Sequence, residues 1–300
     1  MYRIAFVYPK NNTYLQGNHD VALYRNFFIE AMQKTKRIDY HLVPVEGFID
    51  VSSLTAFAAV IFWSCVPSIL DVRNVNKLKR VKCVYGQDPI DLNESWYQKY
   101  REYEFNFVFF HAMKKAYPRL CKFPEDIDYE CIVPGVDPHY FPNDEFVTRH
   151  KDKIVCMGSY GNSDTPLRSL MVASPQVEYV GVDAGYVGNR FGKLLQQYRA
   201  ACTSMTNFIV PKYVELPMGG CLTFMGANDT NGIEELGFVD GESSIYVTVE
   251  NYRQKFDEYL STVDDPKWGR IAAAGRAHVM KTWSNETQVN KLIDAIERYL

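Results

Sequence analysis

The sequence predicts two consecutive doubly wound α/β domains, each a parallel sheet covered by helices on both faces. Three observations predict it. Near-continuous apolar runs such as RIAFVYP (3–9), AAVIFWS (58–64) and KIVCMGS (153–159) read as strands buried on both sides, because a strand with one wet face would alternate. Segments with helical apolar spacing separate these runs, which is the order that parallel crossovers require. The pattern breaks near 140–152, within PGVDPHYFPNDEFVTRHKDK, a Pro- and charge-rich stretch without period, and then restarts. A chain of 300 residues has room for two domains of about 150 residues each.

In the first half, 3–9 is a strand, and 20–34 is a helix with apolar residues at 21, 23, 24, 27, 28, 31 and 32. Strands follow at 40–45, 58–64 and 81–87, the last preceded by a further helical segment. A helix at 93–104 and strands at 105–111 and 129–135 complete the half. In the second half, 153–159 is a strand and 165–173 a helix, with Pro166 near the first-turn position that it favours. A strand at 177–182, a helix at 192–203 and a strand at 206–210 follow. After a short helical turn around Glu215 come strands at 221–226 and 244–249, and the remainder is helical.

Composition excludes several classes. A net charge of −3 gives no global field for nucleic acid or anionic lipid. Seven cysteines, an odd number with no C-x-x-C, indicate neither a disulfide framework nor a zinc site. Several stand in apolar strand runs, where a free thiol acts as a small hydrophobe. The 21 Tyr and 18 Phe read mainly as core. No stretch approaches the ~20 apolar residues of a membrane span, and the N-terminal apolar run is too short and too early for a signal peptide. A cytoplasmic location is expected.

In open α/β sheets ligands gather at the carboxyl ends of strands. GSYGNSD (158–164) lies between a strand and a helix, where Gly, Ser and Asn let a ligand approach the backbone and the helix start offers free N–H groups. Neither the G-x-G-x-x-G fingerprint nor a P-loop is present. KYVELPMGGCLTF (212–224) places Glu215 among apolar residues. A carboxylate there can accept from two vicinal hydroxyls, such as those of a ribose, or pair with Lys212. Gly219 and Gly220 would let backbone approach a bulky group. The D-x-D at 126–128 falls in a loop before a late strand and reads as chance, so no essential metal is expected. The basic run NKLKRVK (76–82) reads as a solvated helix end that could touch phosphates.

The order VPGVDPHYFP, KIVCMGS with Arg168 ten residues past Gly158, KYVELPMGGCLTF, NGIEELGFVDGESSIYVTV and WGRIAAAGRAHVMKTWS resembles the nucleotide-sugar-binding half of GT-B glycosyltransferases. Within them it is most similar to family-4-like enzymes and the CgeB-like group. The resemblance covers about residues 130–285. It implies two Rossmann-like domains facing across a cleft: an acceptor domain over 1–145, a donor domain over 146–284, and a helix at 285–300 crossing back to the first. It implies transfer of a hexose from a nucleotide-diphosphate sugar, UDP-glucose-like, without a cofactor or metal, to a glycan, a protein or a modified nucleic-acid base. In the family the second Glu of an E-x₇-E pair binds the donor ribose, and Glu215 stands at that position. The upstream position is Asn207, a departure that leaves contacts to the transferred sugar unassigned.

The resemblance further implies donor contacts from Gly158, Ser159, Tyr160, Tyr213, Gly219 and Gly220, with Arg168 or Lys212 neutralising the diphosphate. In the first half it points to Gly17 and Asn18 as acceptor or sugar contacts. Asp88, His111, His19 and Asp20 are its catalytic candidates, with Asp20 readable also as a simple helix N-cap. Two other functions fit the same residues, a non-catalytic nucleotide-sugar binder and a sugar-nucleotide epimerase.

Overall fold

The computed structural model describes residues 1–16, 23–63, 71–86, 93–110, 123–142, 145–161, 165–181, 189–206 and 209–300. The chain divides into two compact units. One holds Tyr24–Pro134 and Asn285–Leu300 together with the N-terminal strand, and the other holds Gly135–Ser284.

The strands of the first unit are β1 (Tyr2–Pro9), β2 (Ile38–Val45), β3 (Phe48–Asp50), β4 (Ala59–Trp63), β5 (Asp71–Arg73), β6 (Val81–Tyr85), β7 (Phe107–Phe110) and β8 (Tyr129–Cys131). Six form one parallel sheet in the order β2-β1-β4-β6-β7-β8. Strands β3 and β5 form a separate parallel pair that the sequence did not announce. All five residues of β4 and of β6 are buried, which is why these runs lack alternation. One face of the sheet packs Phe6, Phe28, Trp63, Tyr85 and Phe109, with Phe6 stacked on Phe28 at 5.1 Å and Trp63 against Tyr85 at 4.9 Å. The same cluster takes in Val289, Leu292, Ile293 and Ile296 of the C-terminal helix Asn285–Glu297. Arg37 fastens the flank of that helix through Asp294 at 2.7 Å and Glu297 at 2.8 Å. The first helix runs as Leu23–Arg25, a π-helical stretch Asn26–Ala31, and Met32–Lys34.

The second unit's sheet has the order β10-β9-β11-β12-β13, again all parallel, from β9 (His150–Met157), β10 (Val177–Val180), β11 (Tyr198–Thr203), β12 (Leu222–Gly226) and β13 (Ile245–Val247). The segment read as a helix over 192–203 is a correction. Helix Asn189–Leu195 ends early, and Tyr198–Thr203 is a fully buried central strand. Residues 209 and 210 are not in a strand, so the strand expected at 206–210 is displaced to 198–203. YRAACT is short and rich in Ala and Cys, so its apolar spacing fits a helix as well as a strand. The sheet decides, because Ala200 and Cys202 must pass between β9 and β12 with helices on both faces.

Candidate donor site in the second unit

The chain leaves β9 for β10 on one side of the sheet and returns to β11 on the other. The crevice at the carboxyl ends of β9 and β11 is therefore the topological switch point, where an open α/β sheet has room for a ligand. Arg168, on helix Pro166–Val172, spans it. Its Nη1 donates to the carbonyl of Ser159 at 2.7 Å, after β9, and its Nη2 lies 3.5 Å from Thr203 Oγ1, the last residue of β11. Arg168 is only 3% exposed, its Nε has no hydrogen-bond partner, and among the described residues it has no ion pair. A buried guanidinium without a counter-charge is costly unless an anion completes it.

Gly158 supports this geometry. Its φ of +96° suits glycine, and a Cβ there would lie 3.2 Å from Arg168 Nη1. Ser159 and Tyr160 are exposed beside it, and Tyr160 meets Tyr179 edge-on at 4.6 Å. The helix after this turn starts at Pro166, and Thr165 gives it no side-chain cap.

Glu215 stands in the short helix Lys212–Met218 and is 5% exposed. Its Oε2 accepts from Lys212 Nζ at 2.5 Å, and Lys212 in turn lies over the Phe191 ring at 4.2 Å. The carboxylate is thus held in place by one cation. Tyr213, expected as a donor contact, is fully buried. Its hydroxyl donates to the Gly226 carbonyl at 2.8 Å and accepts from Met205 N–H at 3.2 Å, and burial pushes its pKa up to about 12. It is a strut joining the ends of β11 and β12. Asn231, which no motif in the sequence marks, completes the strut. Wholly buried, it donates to the Gly226 carbonyl at 2.8 Å and to that of Met205 at 3.2 Å. Asn231→Ala should therefore cost about 1–3 kcal/mol, read as a lower midpoint of denaturant unfolding, since it leaves buried polar groups unpaired.

Gly219 and Gly220 occupy the other end of the same helix. Gly219 packs on Leu195, where a Cβ would come within 2.6 Å of Cδ1, and Gly220 takes a φ of +75°. The Gly219 carbonyl accepts from Arg149 Nη1 at 2.8 Å and from Gln196 Nε2 at 3.0 Å, while Arg276 caps the Met218 carbonyl. Two cations at a helix C-terminus oppose its negative dipole end. The glycines thus act in packing and capping. Gly219→Ala should destabilise the fold by about 1–3 kcal/mol through overpacking against Leu195, visible as a lower thermal midpoint. The AAAGR stretch within WGRIAAAGRAHVMKTWS finds its reason here too. A Cβ on Gly275 would lie 2.5 Å from the Ser243 carbonyl, so the glycine lets helix Pro266–Thr282 approach closely enough for Arg276 to reach Met218.

The remaining expected residues, Gly17, Asn18, His19, Asp20, Asp88, His111 and Asn207, lie outside the described residues. The D-x-D acids are otherwise engaged. Asp126 accepts from Arg101 at 2.6 and 2.9 Å, which holds its carboxyl below the usual range, and Asp128 accepts from the Tyr299 hydroxyl at 2.9 Å. Among the described residues no group of three or more His, Cys, Asp or Glu is placed to hold a metal, and no helix is long and apolar enough to cross a membrane.

The sequence matches no protein-family model and no curated protein. Solved structures do match over the whole chain. Anabaena HepE in complex with UDP-glucose is 12% identical, with a TM-score of 0.65 over 99% of this chain and 100% of its own. Sucrose-phosphate synthase from Thermosynechococcus elongatus is 10% identical, with a TM-score of 0.64 over 100% and 99%. An α-glucosyltransferase in complex with UDP and a 13-mer DNA is 8% identical, with a TM-score of 0.62 over 99% and 100%. Two parallel sheets of six and five strands, matched from end to end, give this chain the GT-B glycosyltransferase fold.

Proposed function

We propose that the protein is a glycosyltransferase that moves a hexose from a nucleotide-diphosphate sugar, UDP-glucose-like, to a glycan, protein or modified nucleic-acid base. The observation that carries this reading is the buried, uncompensated guanidinium of Arg168 at the switch point of the second sheet. A diphosphate is the ligand such a charge fits, and its charge grows as the sugar departs, so a fixed cation stabilises the transition state more than the ground state. Glu215 accepts from the ribose hydroxyls through the oxygen that Lys212 leaves free. Gly158, Ser159 and Tyr160 line the diphosphate turn. Lys212 holds Glu215 and adds positive charge beside the same ligand.

The first half of the sequence is expected to supply the acceptor side: Asp88, His111, His19 and Asp20 remain the candidates for proton transfer, and Gly17 and Asn18 those for acceptor or sugar contact. Transfer needs no metal in this reading, because Arg168 takes the role of neutralising the leaving group. Activity should therefore persist in EDTA and gain nothing from added manganese. Loss in EDTA with recovery on manganese would contradict it. We place the protein in the cytoplasm, in keeping with the buried free thiols of Cys83, Cys156, Cys202 and Cys221.

Incubation with UDP-glucose labelled in the sugar tests the function. Label appearing in an acceptor, with UDP released, supports transfer. Conversion to an epimeric UDP-sugar would establish the epimerase reading, and saturable binding without turnover against a broad acceptor panel would establish the binder.

A further inference from the structure

A cavity of about 410 Å³ opens at the amino ends of β4, β6 and β7, the edge of the first sheet opposite the strand ends where ligands of this fold class gather. Its wall carries Lys79, Arg80 and Lys82 from the NKLKRVK run, with Asn106, Glu104 and Tyr299. Lys82 is the unusual member. Its side chain is 3% exposed, its Nζ donates to the Val75 carbonyl at 3.3 Å, and its one ion-pair partner among the described residues is Glu104 at 4.0 Å. Glu104 lies closer to Lys79, at 3.0 Å, so one exposed carboxylate serves two ammonium groups. Burial lowers the pKa of Lys82, with Glu104 opposing that shift. Arg80 uses Nε on the Thr55 carbonyl at 3.3 Å and has no ion pair among the described residues. Asn106, in the cavity wall, accepts the Lys82 backbone N–H at 2.8 Å through Oδ1, which leaves its amide nitrogen as a donor.

We propose that this cavity is a binding site for a small phosphate-bearing molecule, its phosphate held by Lys79, Arg80, Lys82 and Asn106 and its apolar part lying against Tyr299. Three cationic side chains set against one carboxylate side chain suit a dianion better than a single carboxylate. Ammonium and guanidinium donors to phosphate oxygens make the stronger, charge-assisted hydrogen bonds. Tyr299 is ready for a flat partner, since its ring stacks on Phe107 at 5.4 Å and its hydroxyl is tied to Asp128. Lys82 lies below the surface, where a small molecule can enter and the rigid backbone of a nucleic-acid duplex cannot follow. The site is separate from the donor site and does not depend on that reading.

Calorimetric titration of the full chain with inorganic phosphate and with phenyl phosphate tests it. Both should bind, phenyl phosphate more tightly. Lys79→Ser with Arg80→Ser, both on the surface, should weaken binding at least about tenfold, because charged hydrogen-bond partners are lost. Glu104→Gln should strengthen it by freeing Lys79 and Lys82 from their internal competitor, a gain that general damage to the fold would not produce. Absence of binding by either phosphate would overturn the proposal, and so would an affinity unchanged in both variants. Binding of a duplex oligonucleotide that the double variant abolishes, with no phosphate bound, would also overturn it and identify a nucleic-acid surface instead.

Discussion

Arg168→Met should weaken the binding of nucleoside diphosphates by about 3 kcal/mol, on the order of 100-fold, without a matching loss of stability. Binding and folding part company because of where the charge sits. The guanidinium is buried, its Nε is unpartnered, and the described residues give it no carboxylate. Removing such a charge relieves a desolvation cost, so an unbranched apolar replacement is tolerated or even stabilising. The Ser159 carbonyl that loses its donor belongs to an exposed residue and can turn to water. A titration with UDP and a thermal unfolding curve on the same preparation read both effects. Unchanged affinity, or a loss of affinity explained by an unfolded variant, would remove Arg168 from the site. Arg168→Lys should recover only part of the binding, because an ammonium cannot bridge Ser159 and Thr203 while also facing the ligand.

Glu215→Gln should weaken UDP binding at least about tenfold while leaving the affinity for inorganic pyrophosphate unchanged, since hydrogen bonds to a charged acceptor contribute about 1.5–3 kcal/mol. The two ligands share the diphosphate and differ in the ribose. A carboxylate that reads the ribose affects only the one that has it, and Arg168→Met should weaken both. The substitution keeps the shape of the side chain but removes the negative partner of Lys212, now 2.5 Å away. Lys212→Met separates the two roles. If Glu215 were only a partner for Lys212, the two variants would behave alike toward UDP and pyrophosphate. If Glu215 binds ribose, Glu215→Gln alone discriminates between the ligands.

The fold was legible wherever burial dominated. β4, β6 and the Ile154–Met157 end of β9 are runs that only a doubly covered strand explains, and the helices between them leave few topologies other than a doubly wound one. Strand β11 was illegible for a physical reason. Its side chains are small because they must fit between neighbouring strands and helices, and small residues carry little β signal. Thr203 is hidden with it, since within a helix it would not be a strand end. Asn231 was hidden differently: a buried Asn that ties two loops looks, in sequence, like any turn residue in NDTNG. Gly219 and Gly220 were legible as glycines near a carboxylate, but the packing of Gly219 on Leu195 was not. Arg168 was legible as a charge at a chosen spacing, but its burial was not, and burial is what makes it informative.

In the proposed function the second unit holds a nucleoside diphosphate at the carboxyl ends of β9 and β11. Thermal unfolding in the presence of UDP, GDP, ADP, CDP and TDP tests it most directly, because a ligand at 100 times its dissociation constant stabilises the native state by about 2.7 kcal/mol. A clear rise in midpoint with one diphosphate, absent in Arg168→Met, is the predicted result. No rise with any of the five would contradict it.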